Sequence, residues 1–202
     1  MIAFDIETSA ADPYAGSIVS LWAIEIEDPT NQFYEECRML DWALVQDRAL
    51  EVNGFTREQI MEKTKQSVGD LITSFMGWRS RIQEQTLLWQ NVGYFDVRFL
   101  EENGNKEGIE HNFWLVHWGY RTIDIHSLVI NYHLQHNIPY PLKDNASWIN
   151  LDYSANFVWL PSEIKPHHGL NGAKLSAEIF SRIVYGKKLL PEYEQYDIPK
   201  RV

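Results

Sequence analysis

Cysteine is almost missing from this sequence: Cys37 is the single one among 202 residues. An internal disulfide framework is thereby excluded, and a lone thiol suits a reducing compartment. A cytoplasmic, intracellular location is expected. Long apolar runs are missing as well. No window approaches the roughly 20 apolar residues that a membrane-spanning helix needs, so no membrane partner is expected. The opening MIAFDIETSA has no basic segment and carries charge by Asp5, unlike a secretory signal. Basic residues are the third shortage. Lys and Arg number 18 against 28 Asp and Glu, a net charge of −10. That argues against a protein that coats nucleic acid with a basic surface. It does not exclude one that meets phosphates through divalent cations, because such ions invert the field of a carboxylate cluster.

What the chain does have is apolar surface. Hydrophobic residues make up 45% and aromatics 13%, enough for one globular domain with a substantial core. There is no internal repeat. Domain boundaries are expected at 1–188, with 189–202 as a tail that is either a packed extension or a partner-binding strap. Residues 1–9, 17–28 and 31–39 read as strands, the second with Ile18, Ser20, Trp22, Ile24 and Ile26 alternating. Helical spacing follows at 42–50, 56–62 and 67–84. TLLWQ (86–90) reads as a buried strand, and helix resumes from Tyr94 to Glu102. The later part of 122–136 reads as helix, 143–150 as a short helix, and 169–185 as a longer one. Three strands followed by alternating helices and strands predict an α/β protein with a mixed sheet and helices on its faces.

Asp5 and Glu7 stand two apart on the first strand, so the period of two points both carboxylates to one face. A pair of acids there is costly unless something positive satisfies it, and a divalent cation takes oxygen ligands. The plainer reading is a strand end with solvated acids. In WQNVGYFDVRFL (89–100) a strand ends, Asn91 can cap, and Asp96 falls in the first turn of a helix. That is the usual place for active groups in open α/β sheets, although Asp96 could equally complement the helix dipole. Asp124 reads as structural, capping a helix or bracing the fold. His111, His117, His126, His133 and His136 show no metal-ligand spacing.

FDIET near the start, NVGYFDVRFL in the middle, and PHHGLNGA (166–173) before the last helix come in a recognisable order. Together they resemble the DEDDh, or DnaQ-like, 3′–5′ exonucleases, and ALEVNGFTREQI (49–60) adds to the likeness. The resemblance spans about residues 2–186. It implies a ribonuclease H-like fold, with a mixed five-stranded sheet flanked by helices. It implies hydrolysis of phosphodiester bonds from the 3′ end of single-stranded DNA or RNA, with two Mg²⁺ or Mn²⁺ ions clamping the scissile phosphate. Asp5, Glu7 and Asp96 would hold those ions, and His167 would be the general base. A histidine suits that role because its pKa lies near neutrality. Thr8, Asn91, His168 and Asn171 would contact substrate.

One position departs from the pattern. The family's last metal-binding acid follows the histidine by five residues, where this chain has Gly172. The ion shared with Glu7 is expected to bind more weakly, unless water or a carboxylate such as Asp152 or Glu163 compensates. Gly172→Asp is expected to tighten metal binding. The alternative is a catalytically inactive, exonuclease-like module that binds nucleic acid or protein.

Overall fold

The computed structural model describes residues 1–109, 121–163 and 169–200. Its main sheet has five strands in the order β3-β2-β1-β4-β5. These are β1 (Ile2–Thr8), β2 (Ile18–Glu25), β3 (Gln32–Glu36), β4 (Leu87–Trp89) and β5 (Thr122–Asp124). The first three pair antiparallel, while β4 runs parallel to both β1 and β5. The sheet is therefore mixed, and β1 is its central strand.

Alternation along β1 divides the core into two. Phe4 and Ile6 face one layer, packed against Leu71, Ile72 and Phe75 of α3 (Val68–Arg79) and Phe99 of α4 (Asp96–Lys106). Ala3 faces the other, with Leu88, residues of α5 (Ile125–Gln135) and α6 (Leu151–Phe157), and Ala173 and Ala177 of α7 (Gly169–Phe180). Two short helices follow β3: α1 (Asp47–Asn53), tied to the end of β1 by Asn53, and α2 (Arg57–Ile60), whose Ile60 packs with Val19 and Met39. Helix starts follow local chemistry: Ser67 and Asp70 form a capping box at α3, and Thr56 and Gln59 form another at α2. No helix among the described residues is long and apolar enough to cross a membrane.

Two sequence expectations are corrected. Residues 143–150 form no helix. Leu142–Lys143 (β6) and Ala146–Ser147 (β7) make a hairpin, closed by Asp144 and Asn145 at φ 52° and 64°. Asp and Asn tolerate the left-handed region that such a two-residue turn demands. Helix begins only at Leu151, where the Asn150 side chain accepts from the Tyr153 N–H. Residues 42–46 are loop instead of helix, because their backbone is claimed elsewhere: Leu44 N–H donates to the Ala15 carbonyl and Gln46 N–H to that of Ser9. The last helix is α-helical only to Phe180 and continues as a π-helical turn, Ser181–Tyr185.

That turn carries Arg182, which has no exposed surface. Its Nε donates to Glu178 Oε1 at 2.6 Å, and its two terminal nitrogens donate to the carbonyls of Val158, Tyr193, Tyr196 and Asp197. Glu178 Oε2 accepts from the N–H groups of Leu189 and Leu190, both at 2.9 Å. Residues 189–197 are thus held against the last helix by one buried ion pair, so this part of the tail is a packed extension.

Candidate active site

The carboxyl ends of β1 and β4 open into a cleft of about 390 Å³. That is the size range of small-ligand sites, at the place where open α/β sheets bind them. Asp5 and Glu7 line it side by side, as the period of β1 requires. A register shift between Glu7 and Thr8 bends the end of the strand. Beyond it, buried Asn53 donates to the Thr8 carbonyl at 3.0 Å and anchors this stretch to α1.

β4 delivers the third acid. After Gln90 the chain turns at Asn91, whose φ is 60° and whose N–H donates to Asp124 Oδ1 at 2.8 Å. Val92 is buried in that turn, and α4 then starts at Asp96, which is 1% exposed. Asp124 also accepts from the His126 N–H and from Ser127 Oγ, so it caps α5 and braces the turn, a structural part. His133 is structural as well: it is buried, with its two ring nitrogens on the Ile138 carbonyl and the Tyr153 hydroxyl.

The electrostatics of the cleft are strongly one-sided. Burial pushes Glu7 up to about 8, with the charges of Glu163 and Asp96 adding to it. Asp5 is held well above the usual carboxylate range, first by burial and then by Glu7, Asp96 and Glu163. Asp96 is raised in the same direction by burial. The N–H groups of Asp96 itself and of Ile6 oppose that shift, yet neither Asp96 oxygen has a partner in good hydrogen-bond geometry. Buried acceptors are normally paired. Among the described residues no three His, Cys, Asp or Glu side chains already stand in ligating geometry around one point. Asp5 and Glu7 line the cleft, and Asp96 is buried beside them without lining it. They fit a hard divalent cation by donor type, by the orphaned Asp96 oxygens, and by the mutual repulsion such an ion would relieve.

This arrangement makes stability depend on pH in a definite direction. A carboxylate whose folded pKa is raised stabilises the protein below its unfolded value and loses that contribution as pH climbs to the folded one. For Glu7 the window runs from 4.5 to about 8. In chelator, the unfolding midpoint is expected to fall across that window, at roughly 1.4 kcal/mol per pH unit for each proton released. Saturating Mn²⁺ should flatten the slope. A midpoint that stays level or rises in chelator would contradict this picture of the cleft.

No protein-family model matches the sequence, and no curated protein does either. Solved structures do match. Cell-death related nuclease 4 (CRN-4) superposes with a TM-score of 0.68 at 12% identity, covering 93% of this chain and 64% of that one. Exonuclease I, in one structure, gives 0.71 at 13% identity, covering 92% and 40%. E. coli Exonuclease I in complex with a dT13 oligonucleotide gives 0.67 at 13%, covering 90% and 40%. The fold is ribonuclease H-like. This chain spans less than two thirds of the length of each of these proteins.

Of the residues singled out by sequence, the structure brings Asp5, Glu7, Asp96 and Thr8 to one place. Thr8 lines the cleft, with its hydroxyl turned to the Ala10 carbonyl at 2.8 Å. Asn91 does not line it, and neither does it cap α4: Phe95 holds the cap position without a side-chain bond, and Asn91 shapes the turn before it. Asn171 does not line the cleft but lines a neighbouring groove with Lys174 and Tyr193, cleft and groove sharing Glu163 as a wall. His167 and His168 lie outside the described residues. Sequence reasoning missed Arg48, an exposed cation on the cleft wall, and Trp89, Gln90 and Phe95, which line it. Arg48 sits one residue before the stretch 49–60 that carries the family likeness, the single local hint of it.

Gly172 lies where a close approach requires glycine. A Cβ there would stand 2.3 Å from Asp5 Oδ2 and 2.6 Å from Trp89 Cη2. Position 172 therefore adjoins the acids, but the Trp89 ring and Asp5 fill the space a side chain would need. An aspartate at 172 would have to move the Trp89 ring and the Asp5 carboxylate before it could reach an ion. Even Gly172→Ala is expected to cost about 1–3 kcal/mol by overpacking. Chemical denaturation checks this, and a loss below 0.5 kcal/mol, on the order of surface changes, would show that Trp89 yields freely.

Proposed function

We propose that this chain is a divalent-metal-dependent 3′–5′ exonuclease acting on single-stranded nucleic acid. The observation that supports it is that Asp5 and Glu7 line one cleft while buried Asp96 is close enough for its charge to act on both, its oxygens without a partner in good hydrogen-bond geometry. Asp5, Glu7 and Asp96 would hold two Mg²⁺ or Mn²⁺ ions. Bound there, the ions would stabilise the attacking and leaving oxygens of the scissile phosphate.

The chain's own residues supply the rest. Ala10, Ala49, Val52 and Phe95 give the cleft an apolar wall suited to a base and sugar. Arg48 at its rim suits a phosphate. His167, on the sequence resemblance, takes the proton from the attacking water. The neighbour Exonuclease I was solved with an oligonucleotide, which supports a single strand as the ligand class here.

The test is degradation of 5′-labelled single-stranded DNA and RNA with Mg²⁺, Mn²⁺ or chelator. Stepwise shortening from the 3′ end that chelator stops is expected. One observation favours a second reading: position 172 has neither an acid nor room for one. On that reading the protein binds oligonucleotides without turnover, and retention on a gel shift with no shortening under any metal would select it.

A further inference from the structure

The cleft does not stop at its acids. Ala11 and Gln46 line it, and the same two residues line a second groove of about 750 Å³ beside it. The turn from β4 into α4 serves both: Phe95 lines the cleft, and Tyr94 just before it lines the groove. Tyr94 is 83% exposed. Gln46 stands at the junction, where its Oε1 accepts from the Ala11 N–H at 3.0 Å. Only the amide oxygen can accept, so the Nε2 group is the end left to donate.

Further along, cations hold the rings in place. Arg98 donates to the Tyr14 hydroxyl at 2.6 Å and lies 5.3 Å from the centre of that ring. Lys106 donates to the Tyr14 carbonyl at 2.6 Å and stands 4.2 Å over the ring of Trp42. Tyr14 and Trp42 are still exposed. Arg98 and Asp12 are the charged residues that line the groove. Arg98 is paired with Glu101 and Glu102, and Asp12 Oδ1 accepts from the Tyr14 N–H. The lining thus offers bare aromatic faces and no net charge. Scattered apolar residues need no explanation, but a run of them continuous with a cleft marks a contact surface. Rings of this kind stack on bases of any sequence.

We propose that a strand whose 3′ end enters the cleft continues through this groove, its bases stacked on Tyr94 and Tyr14 and its backbone taking the Gln46 amide at the junction. A chain of net charge −10 would then grip a polyanion by ring faces in place of lysines and arginines. The direction of the strand rests on the exonuclease reading, and the test separates the two. Binding of dT8 and of thymidine 5′-monophosphate, which is long enough for the cleft alone, is measured on the whole chain by calorimetry. Ca²⁺ replaces Mg²⁺, because it takes oxygen ligands in a looser geometry. The wild type should prefer dT8 at least about tenfold, as one or two stacked bases provide. Tyr94→Ala should cut that preference at least about fivefold, the lower end for one base–aromatic stack, while Tyr94→Phe keeps the ring and should hold it within about twofold. The dT8 affinity should fall less than about tenfold between roughly 50 and 200 mM salt, as one or two phosphate contacts dictate. An unchanged preference in Tyr94→Ala, or a steeper salt dependence, overturns the stacking path and leaves the exonuclease reading standing. A preference lost in Tyr94→Ala, in a protein that shortens no strand with any metal, supports the path and overturns the exonuclease reading. A wild type that neither binds nor shortens dT8 overturns both.

Discussion

Asp5→Asn is expected to stop metal-dependent shortening of single strands, lowering the rate at least roughly 1,000-fold. Ions of this kind supply several kcal/mol of transition-state stabilisation, and each 1.4 kcal/mol is a factor of ten in rate. The charges of Glu7, Asp96 and Glu163 all act on Asp5, which puts it at the centre of the acids proposed to hold the ions. The same substitution should leave the metal-free fold intact and raise its unfolding midpoint near pH 8. It keeps the shape of the side chain and removes one charge from a repelling set. Activity and stability therefore move in opposite directions, which a merely misfolded variant cannot reproduce. An Asp5→Asn protein retaining a tenth or more of wild-type activity would remove Asp5 from the mechanism.

Arg182→Met is expected to destabilise the protein by about 3–5 kcal/mol, the cost of stripping one partner from a buried ion pair. Glu178 would be left charged without surface exposure, and four backbone carbonyls would lose their donor. The double variant Arg182→Met with Glu178→Leu should recover part of the loss, because an apolar pair of similar volume avoids the desolvation penalty. Urea denaturation measures both. Limited proteolysis should find residues 189–197 cleaved in the single variant and protected in the wild type. A loss under 1 kcal/mol would mean that the tail is held by its apolar contacts alone.

What the sequence disclosed and what it hid follow from the range of the interactions involved. The facing of Asp5 and Glu7 is a local property of any strand, so a period of two was enough to see it. Asp96 was visible because the strand before it and the helix after it are both strongly patterned. The hairpin at 142–147 was hidden because Asp and Asn serve helix caps and left-handed turns alike. Asp152 and Glu163 could both be named as candidates, but that Asp152 accepts from the Glu163 N–H is a tertiary fact no pattern carries. The obstruction at Gly172 was beyond any pattern, since it depends on where the ring of Trp89 lies. The tail, ambiguous by composition, is decided by Arg182, a residue whose helical spacing says nothing of the carbonyls it meets.

The central place of β1 bears on how the molecule comes into being. On a growing chain, Ile2–Thr8 can pair with Ile18–Glu25 almost at once, but its other edge stays bare until Leu87–Trp89 arrives. The glycine face of Gly169–Phe180 that closes over Asp5 is made later still. Throughout that interval the two acids remain hydrated and ordinary. An edge strand carrying charge is a poor template for aggregation, so the same carboxylates guard the nascent chain before the fold turns them into a buried cluster.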